Sequence, residues 1–309
     1  MFGINTPMKS IVSKYIVPLL GLTGIIQGCS HVQSWQPVTI SNSQQQIVHS
    51  TYTDKDYLIQ VATIGDKPIN GYPVIYVLDG NAFFTTSVAI AQLMHGRPNQ
   101  ASPKSLMVVG IGYPISKNFD IKNRTHDYTV PSANYPKPKG EQISFGGADK
   151  FHQFISQELT LILNQKFGIN ANHRTLFGHS YGGLFGLYAL YRHSQDFDRY
   201  VIASPSIWWN DKSIQIHQTL FTPSPNIAHV LITLGEHELN APHKNPDAPT
   251  SDLPNSDAYL THQFLVKKLG QSKTSFAFHF DHGHGDNAYP SLLKGIRLAY
   301  QACQTDADC

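Results

Sequence analysis

"HRTLFGHSYGGLFGLYALYRH", residues 173–193, reads as a strand, a sharp turn and a helix in one run. Apolar residues lead into Gly178, and beyond Gly183 they recur at helical spacing. Ser180 sits on the turn in the pattern G-x-S-x-G. A serine hydroxyl is a poor nucleophile until a base removes its proton, so its Oγ has to project beyond the sheet, where an imidazole can reach it. Gly178 and Gly182 are expected to spare the turn the side chains that would collide there. A helix opening at Tyr181 aims its first backbone N–H groups, the positive end of its dipole, at an oxyanion formed beside Ser180. The plain structural alternative is Ser180 as a helix cap, a contribution of about 1 kcal/mol.

The flanking segments repeat this alternation. "PVIYVLDG" (73–80) and "SLMVVGIGY" (105–113) are continuous apolar runs, the pattern of strands buried on both faces. "YLIQVATIG" (57–65) alternates as a half-buried strand, and residues 30–46 read as a polar tether with a first edge strand. Helices are expected at 82–95, 148–167, near 211–220, at 257–270 and at 290–300. Strands "RYVIASPS" (199–206), "AHVLITLGE" (228–236) and "SFAFHF" (275–280) fall between the later ones. Residues 114–147, rich in Pro, Gly, Asn and Lys, show no period and read as a long loop of the kind that carries function. The series predicts a single catalytic domain over 47–309, α/β in class, with a doubly wound, mostly parallel sheet flanked by helices.

Lys+Arg number 23 against 21 Asp+Glu, with no basic run, which argues against nucleic acid as a partner. The segment from Met8 to Ser30 carries two lysines, an apolar stretch too short for a comfortable membrane span, and Gly28 ahead of Cys29. That layout predicts a lipoprotein-type signal peptide over 1–28, a tether over 29–46 and lipidation of Cys29. A plain secretory signal with Cys29 incidental is the alternative. Ser30, where an aspartate would favour inner-membrane retention, points to the periplasmic side of the outer membrane. Cys303 and Cys309 close a short polar loop and read as a disulfide in an exported protein. No C-x-x-C spacing marks a metal site.

The base should follow a late strand. "FAFHFDHGHGD" (276–286) offers His279, inside the strand pattern, and His282 and His284 in the loop beyond it; His284, before the last helix, is the first choice and His282 its rival. The acid that orients the imidazole is expected after "HVLITLG", at Glu238, with Glu236 as the alternative. The order Ser, acid, His fits an α/β-hydrolase. A second oxyanion donor is expected in "LDGNAFF" (78–84), from the Asn81 amide or the neighbouring Gly80, paired with the Tyr181 amide.

The segments "VIYVLDGNA", "RTHDYTV", "GHSYGGLF", "SPSIWW" and the "HG" before "YPSL" together resemble the esterase family of α/β hydrolases. The similarity runs from about residue 50 to 300 and is to the branch that includes the trilactone siderophore esterases acting on enterobactin and salmochelin. The resemblance implies a serine hydrolase without cofactors. It also implies that Arg124 contacts an anionic substrate and that Trp208 and Trp209 build the pocket wall. Read bottom-up, Arg124 is equally a surface ion-pair partner and the tryptophans equally core. Some members of the branch use a Ser–His dyad, which leaves the acid open.

These readings converge on a serine carboxylic-ester hydrolase working through an acyl-enzyme on a small-molecule ester, with a catechol siderophore as the most concrete substrate. A feruloyl-type esterase or an acyltransferase fits the same machinery. A siderophore-binding lipoprotein that no longer catalyses is the reading from a different class.

Overall fold

Apolar side chains on both faces of one strand set the layering. In β3 (Tyr72–Leu78), Val74, Tyr76 and Leu78 enter one core, while Ile75 and Val77 enter a second on the opposite face. The computed structural model describes residues 35–95, 105–135, 143–239 and 252–302. The chain divides into a unit over 1–39, of which only 35–39 are described and carry no regular structure, and a unit over 40–309.

Within the larger unit, β1 (Ser43–Ser50), β2 (Lys55–Ile64), β3, β4 (Leu106–Gly112), β5 (Ile169–His179), β6 (Arg199–Ala203), β7 (His229–Gly235) and β8 (Thr274–His279) form one sheet. Its order is β1-β2-β4-β3-β5-β6-β7-β8. β1 and β2 pair antiparallel, as do β2 and β4, and every later pair is parallel. This is the α/β-hydrolase arrangement expected from the sequence. β1 opens inside the segment read as tether.

The core on one face is closed by α3 (Ala148–Gln153), a π-helical stretch (Phe154–Leu159), α4 (Thr160–Phe167), α5 (Tyr181–Arg192), α7 (Ile214–Thr219) and α8 (Asp257–Leu269). The opposite core lies under α1 (Gly80–His95) and α9 (Ala288–Tyr300). Phe151, Phe154 and Phe185 are fully buried, each contributing roughly 1.5–3 kcal/mol of apolar transfer. Among the described residues no helix is long and apolar enough to cross a membrane.

Three expectations change. Residues 114–147 contain a helix, α2 (Ile121–Tyr128), started by Asp120, whose carboxylate accepts from the Asn123 N–H at 3.0 Å. The helix expected over 148–167 is interrupted by the π-helical stretch, and Phe154, Ile155 and Leu159 of that stretch face the core. Near 211–220 the regular helix is confined to α7. The turn before it, α6 (Trp209–Lys212), holds Asn210 and Asp211 at φ 49° and 51°.

Candidate active site

β5 ends at His179 and α5 begins at Tyr181, so Ser180 alone makes the turn, at φ 61° and ψ −117°. A non-glycine residue in such a conformation costs about 1–3 kcal/mol and persists where its surroundings hold it. The Ser180 N–H donates to the Ala203 carbonyl at 3.0 Å, and the Ser180 carbonyl accepts from the N–H groups of Leu184 and Ser206 at 3.0 and 3.1 Å. Only part of the glycine expectation holds. A Cβ on Gly178 would lie 2.1 Å from the Gly182 carbonyl oxygen, but one on Gly182 would meet Leu78 and Asp79 at ordinary distances of 3.5 and 3.9 Å. The second crowded position is Gly183, whose Cβ would lie 2.8 Å from the Ala203 oxygen. Ser180 makes no side-chain capping bond.

Its Oγ stands 2.9 Å from His284 Nε2, and His284 Nδ1 stands 2.8 Å from Glu238 Oε2. With Nδ1 protonated toward the carboxylate, Nε2 presents a lone pair to the hydroxyl, the tautomer a general base requires. His284 lies on the loop between β8 and α9, and Glu238 on a single 3-10 turn (Glu236–Glu238) after β7. The parallel register that sets Gly235 beside His279 brings both to one edge of the sheet. The rivals point elsewhere. His282 Nδ1 lies 2.6 Å from the Phe280 carbonyl, and Glu236 accepts from the Asp281 N–H at 2.8 Å.

Glu238 is held from several sides. Oε1 accepts from Ser204 Oγ at 2.6 Å and from the Gly235 N–H at 2.7 Å. Burial works to raise its pKa, but the bonds from His284, Ser204 and Gly235 outweigh it and hold the carboxyl below its ordinary range. Behind it, Asn287 Nδ2 donates to Ser204 Oγ at 2.6 Å and to Thr233 Oγ1 at 3.2 Å. Asn287 Oδ1 lies 2.5 Å from His279 Nδ1, so His279 belongs to this supporting network.

On the other flank, β3 and β5 run parallel and adjacent, and each is followed at once by a helix. α1 begins at Gly80, earlier than its apolar period indicates. The Gly80 and Asn81 amides therefore belong to its first turn, beside the first turn of α5 that holds the Tyr181 amide. The Asn81 side chain is occupied: Oδ1 accepts from the Tyr113 N–H at 2.8 Å, and Nδ2 donates to the carbonyls of Tyr113 and Ile115 at 3.0 and 3.2 Å. Arg124 is buried, which excludes the surface ion pair. Its Nε and Nη2 both donate to Asp79 at 2.9 Å, and its guanidinium lies 5.6 Å from the Tyr181 ring centroid. Those bonds clamp the β3–α1 turn.

The two tryptophans separate. Trp208 is about half exposed, its ring centroid 6.3 Å from that of Tyr181. Trp209 is buried against Phe145 and Tyr135, so it packs the loop instead of lining a pocket wall. Phe83 gathers a second set of rings, Phe119, Tyr289 and His179, at centroid distances of 6.0, 6.3 and 6.2 Å. Cys29, Cys303 and Cys309 lie outside the described residues.

Sequence reasoning passed over Ser204, Ser206, Asn287, His179 and Asp79. Two of these were visible in "SPSIWW", where the serines rather than Trp209 reach the site: Ser206 Oγ is 3.3 Å from Ser180 Oγ.

The family model described as "Putative esterase" matches residues 50–302. A siderophore triacetylfusarinine C esterase of Aspergillus fumigatus is 33% identical over 221 residues, 67% of this chain and 72% of that protein. The ferri-bacillibactin esterase BesA of Bacillus subtilis is 32% identical over 214 residues, 67% of this chain and 74% of that protein. The crystal structure of the BES protein from Bacillus cereus superposes with a TM-score of 0.72 at 32% identity, covering 86% of this chain and 99% of that one. The chain thus belongs to this esterase family, within its siderophore-esterase branch, and is a carboxylic ester hydrolase acting on a small-molecule ester.

Proposed function

We propose that the protein hydrolyses the ester linkages of a siderophore, a catechol trilactone foremost, through Ser180, His284 and Glu238 and a covalent acyl-enzyme. The observation that carries this reading is the unbroken hydrogen-bonded chain from Ser180 Oγ through His284 to Glu238. Ser180 Oγ attacks the ester carbonyl carbon while its proton passes to His284 Nε2. The Asn81 and Tyr181 amides receive the oxyanion, and Glu238 stabilises the imidazolium. The C–O bond then breaks, and the leaving alkoxide takes the proton from His284. Water attacks the acyl-enzyme in turn, giving one proton to His284, and Ser180 departs with that proton as the acid product forms.

Half-exposed aromatic rings, Trp208 beside Tyr181 and Phe119 with Tyr289 beside Phe83, favour an aromatic acyl substrate, since such rings stack on offset faces. The relatives' names, esterases for triacetylfusarinine C and ferri-bacillibactin, support a siderophore ester as the substrate. The signal-like segment from Met8 to Ser30 supports an exported enzyme, lipid-anchored through Cys29 on the periplasmic side of the outer membrane, with Cys303 and Cys309 bridged. Accumulation of an uncleaved precursor under globomycin tests the anchor.

The deciding experiment labels folded protein with a fluorophosphonate and profiles hydrolysis of catechol trilactones, hydroxycinnamate esters and short acyl esters. Labelling of Ser180, its loss in Ser180→Ala and preferential trilactone turnover are expected. An unlabelled Ser180 overturns the mechanism, and turnover of short acyl esters alone overturns the substrate class.

A further inference from the structure

α5 carries Ser180 at one end and a second cluster of chemistry-bearing side chains at the other, about 18 Å away at 1.5 Å per residue. His193 caps the helix C-terminus, and Asp196 follows in the turn, its N–H bonded to the His193 carbonyl at 3.1 Å. His152 and Asp149, one turn apart on α3, face them. His152 Nε2 lies 3.0 Å from Asp196 Oδ2, and His193 Nε2 lies 3.3 Å from Asp149 Oδ1. The imidazoles of His152 and His193 lie face to face, 3.8 Å between centroids and 11° between planes. One ligand-capable atom each from His152, His193 and Asp196 falls within 4.8 Å of the others.

Hydrogen bonding does not account for this gathering. His152 is only 3% exposed, yet neither of its ring nitrogens has a hydrogen-bond partner, and neither does His193 Nε2. The carboxylates lie within ion-pair distance of these nitrogens without closing a hydrogen bond to them. Burying such a nitrogen without a partner is unfavourable. A lone-pair acceptor such as a metal ion removes that cost, and two imidazoles with a carboxylate match its preferences.

We propose that His152, His193 and Asp196 form a site for a divalent first-row transition ion, zinc foremost. Zinc takes imidazole nitrogen and carboxylate oxygen at roughly 2.0–2.2 Å in a tetrahedron, so its ligand atoms stand about 3.4 Å apart. The His152 Nε2 to Asp196 Oδ2 separation of 3.0 Å is near that value and the three ligand atoms lie within 4.8 Å of one another, while the stacked imidazoles must turn out of parallel for both lone pairs to meet one ion. Imidazole ligands select zinc, nickel or copper over magnesium and calcium, which prefer oxygen alone. His193 and Asp196 keep about a quarter of their side-chain surface exposed, which gives an ion a way in. The site joins α3 to the end of α5 and stands apart from the ester chemistry, so its role is to brace the fold. No local spacing announces it, because its ligands come from two elements.

The test uses the full chain, stripped with chelator and titrated with zinc chloride by calorimetry and with cobalt chloride by visible absorption. One equivalent of zinc, tetrahedral cobalt bands and a raised melting temperature are expected, since an ion that binds only the folded state stabilises it. His193→Ala and Asp196→Asn should each lower zinc affinity by at least about tenfold, in line with the loss of a ligand, while retaining ester turnover as proof of folding. Failure to bind an equivalent of zinc overturns the site. So does undiminished binding in both variants, which would place the ion on other histidines.

Discussion

His179 Nε2 donates to the backbone carbonyl of His284 at 2.6 Å, so the residue ahead of Ser180 holds the loop that delivers the imidazole to it. Burial, helped by the neighbouring His284 ring, pushes the His179 pKa down to about 4 from its ordinary 6.5. The unfolded chain therefore takes up this proton first as pH falls. The group's contribution to stability is fully present above about pH 6.5 and is lost between there and pH 4, a span of about 3 kcal/mol. His179→Gln keeps a donor and cannot titrate, so its urea-unfolding free energy should fall less steeply through that window. Equal slopes in the two proteins would refute the assignment.

In the proposed mechanism the carboxylate of Glu238, 2.8 Å from His284 Nδ1, orients the imidazole and stabilises its charged form. Glu238→Gln should lower kcat by about 10²–10⁴-fold with little change in KM. Ser204→Ala removes the 2.6 Å bond to Oε1 and should cost a smaller factor, about tenfold. Steady-state kinetics on one chromogenic ester measures both, and a Glu238→Gln enzyme at wild-type rate would make the site a Ser–His dyad.

Asp79 and Arg124 form a buried bidentate pair beneath the site. Removing one partner leaves an uncompensated charge, so Asp79→Asn should destabilise by about 3–5 kcal/mol in chemical unfolding. Adding Arg124→Gln should cost less than the sum of the two single changes. Additive losses would mean the pair is not energetically coupled.

The elbow glycines should behave unequally. Gly178→Ala forces a carbon within 2.1 Å of a backbone oxygen and should abolish soluble, active protein. Gly182→Ala meets only ordinary contacts, and it should fold and keep at least a tenth of the rate, a loss of about 1.4 kcal/mol or less. Soluble yield and turnover of the two proteins decide the point.

The buried strands were legible because runs such as "PVIYVLDG" can satisfy their apolar side chains only between two layers of helices. The turn at Ser180 was legible because G-x-S-x-G between a strand and a helix is a local pattern. α2 was not, since its polar residues leave no stripe and it is held by the Asp120 cap and by Arg124 bonding to Asp79, far away in sequence. Glu238 and Glu236, like His284 and His282, differ only in the direction a side chain takes on a short turn. That direction is settled by Ser204, Gly235 and Phe280, contacts that composition and period do not encode.

The strand leading into Ser180 pairs with β3, whose partner residues, such as Val77 against Phe177, lie very far apart along the chain. Closing so long a loop costs entropy before any contact repays it, which places assembly of this sheet on the order of milliseconds to seconds. Behind β5 and β6 stands α9, where Gly295 lies close against Phe177 and Val201. The loop holding His284 immediately precedes that helix. Docking of that helix therefore anchors one end of the loop, and recovery of turnover on refolding should not precede it.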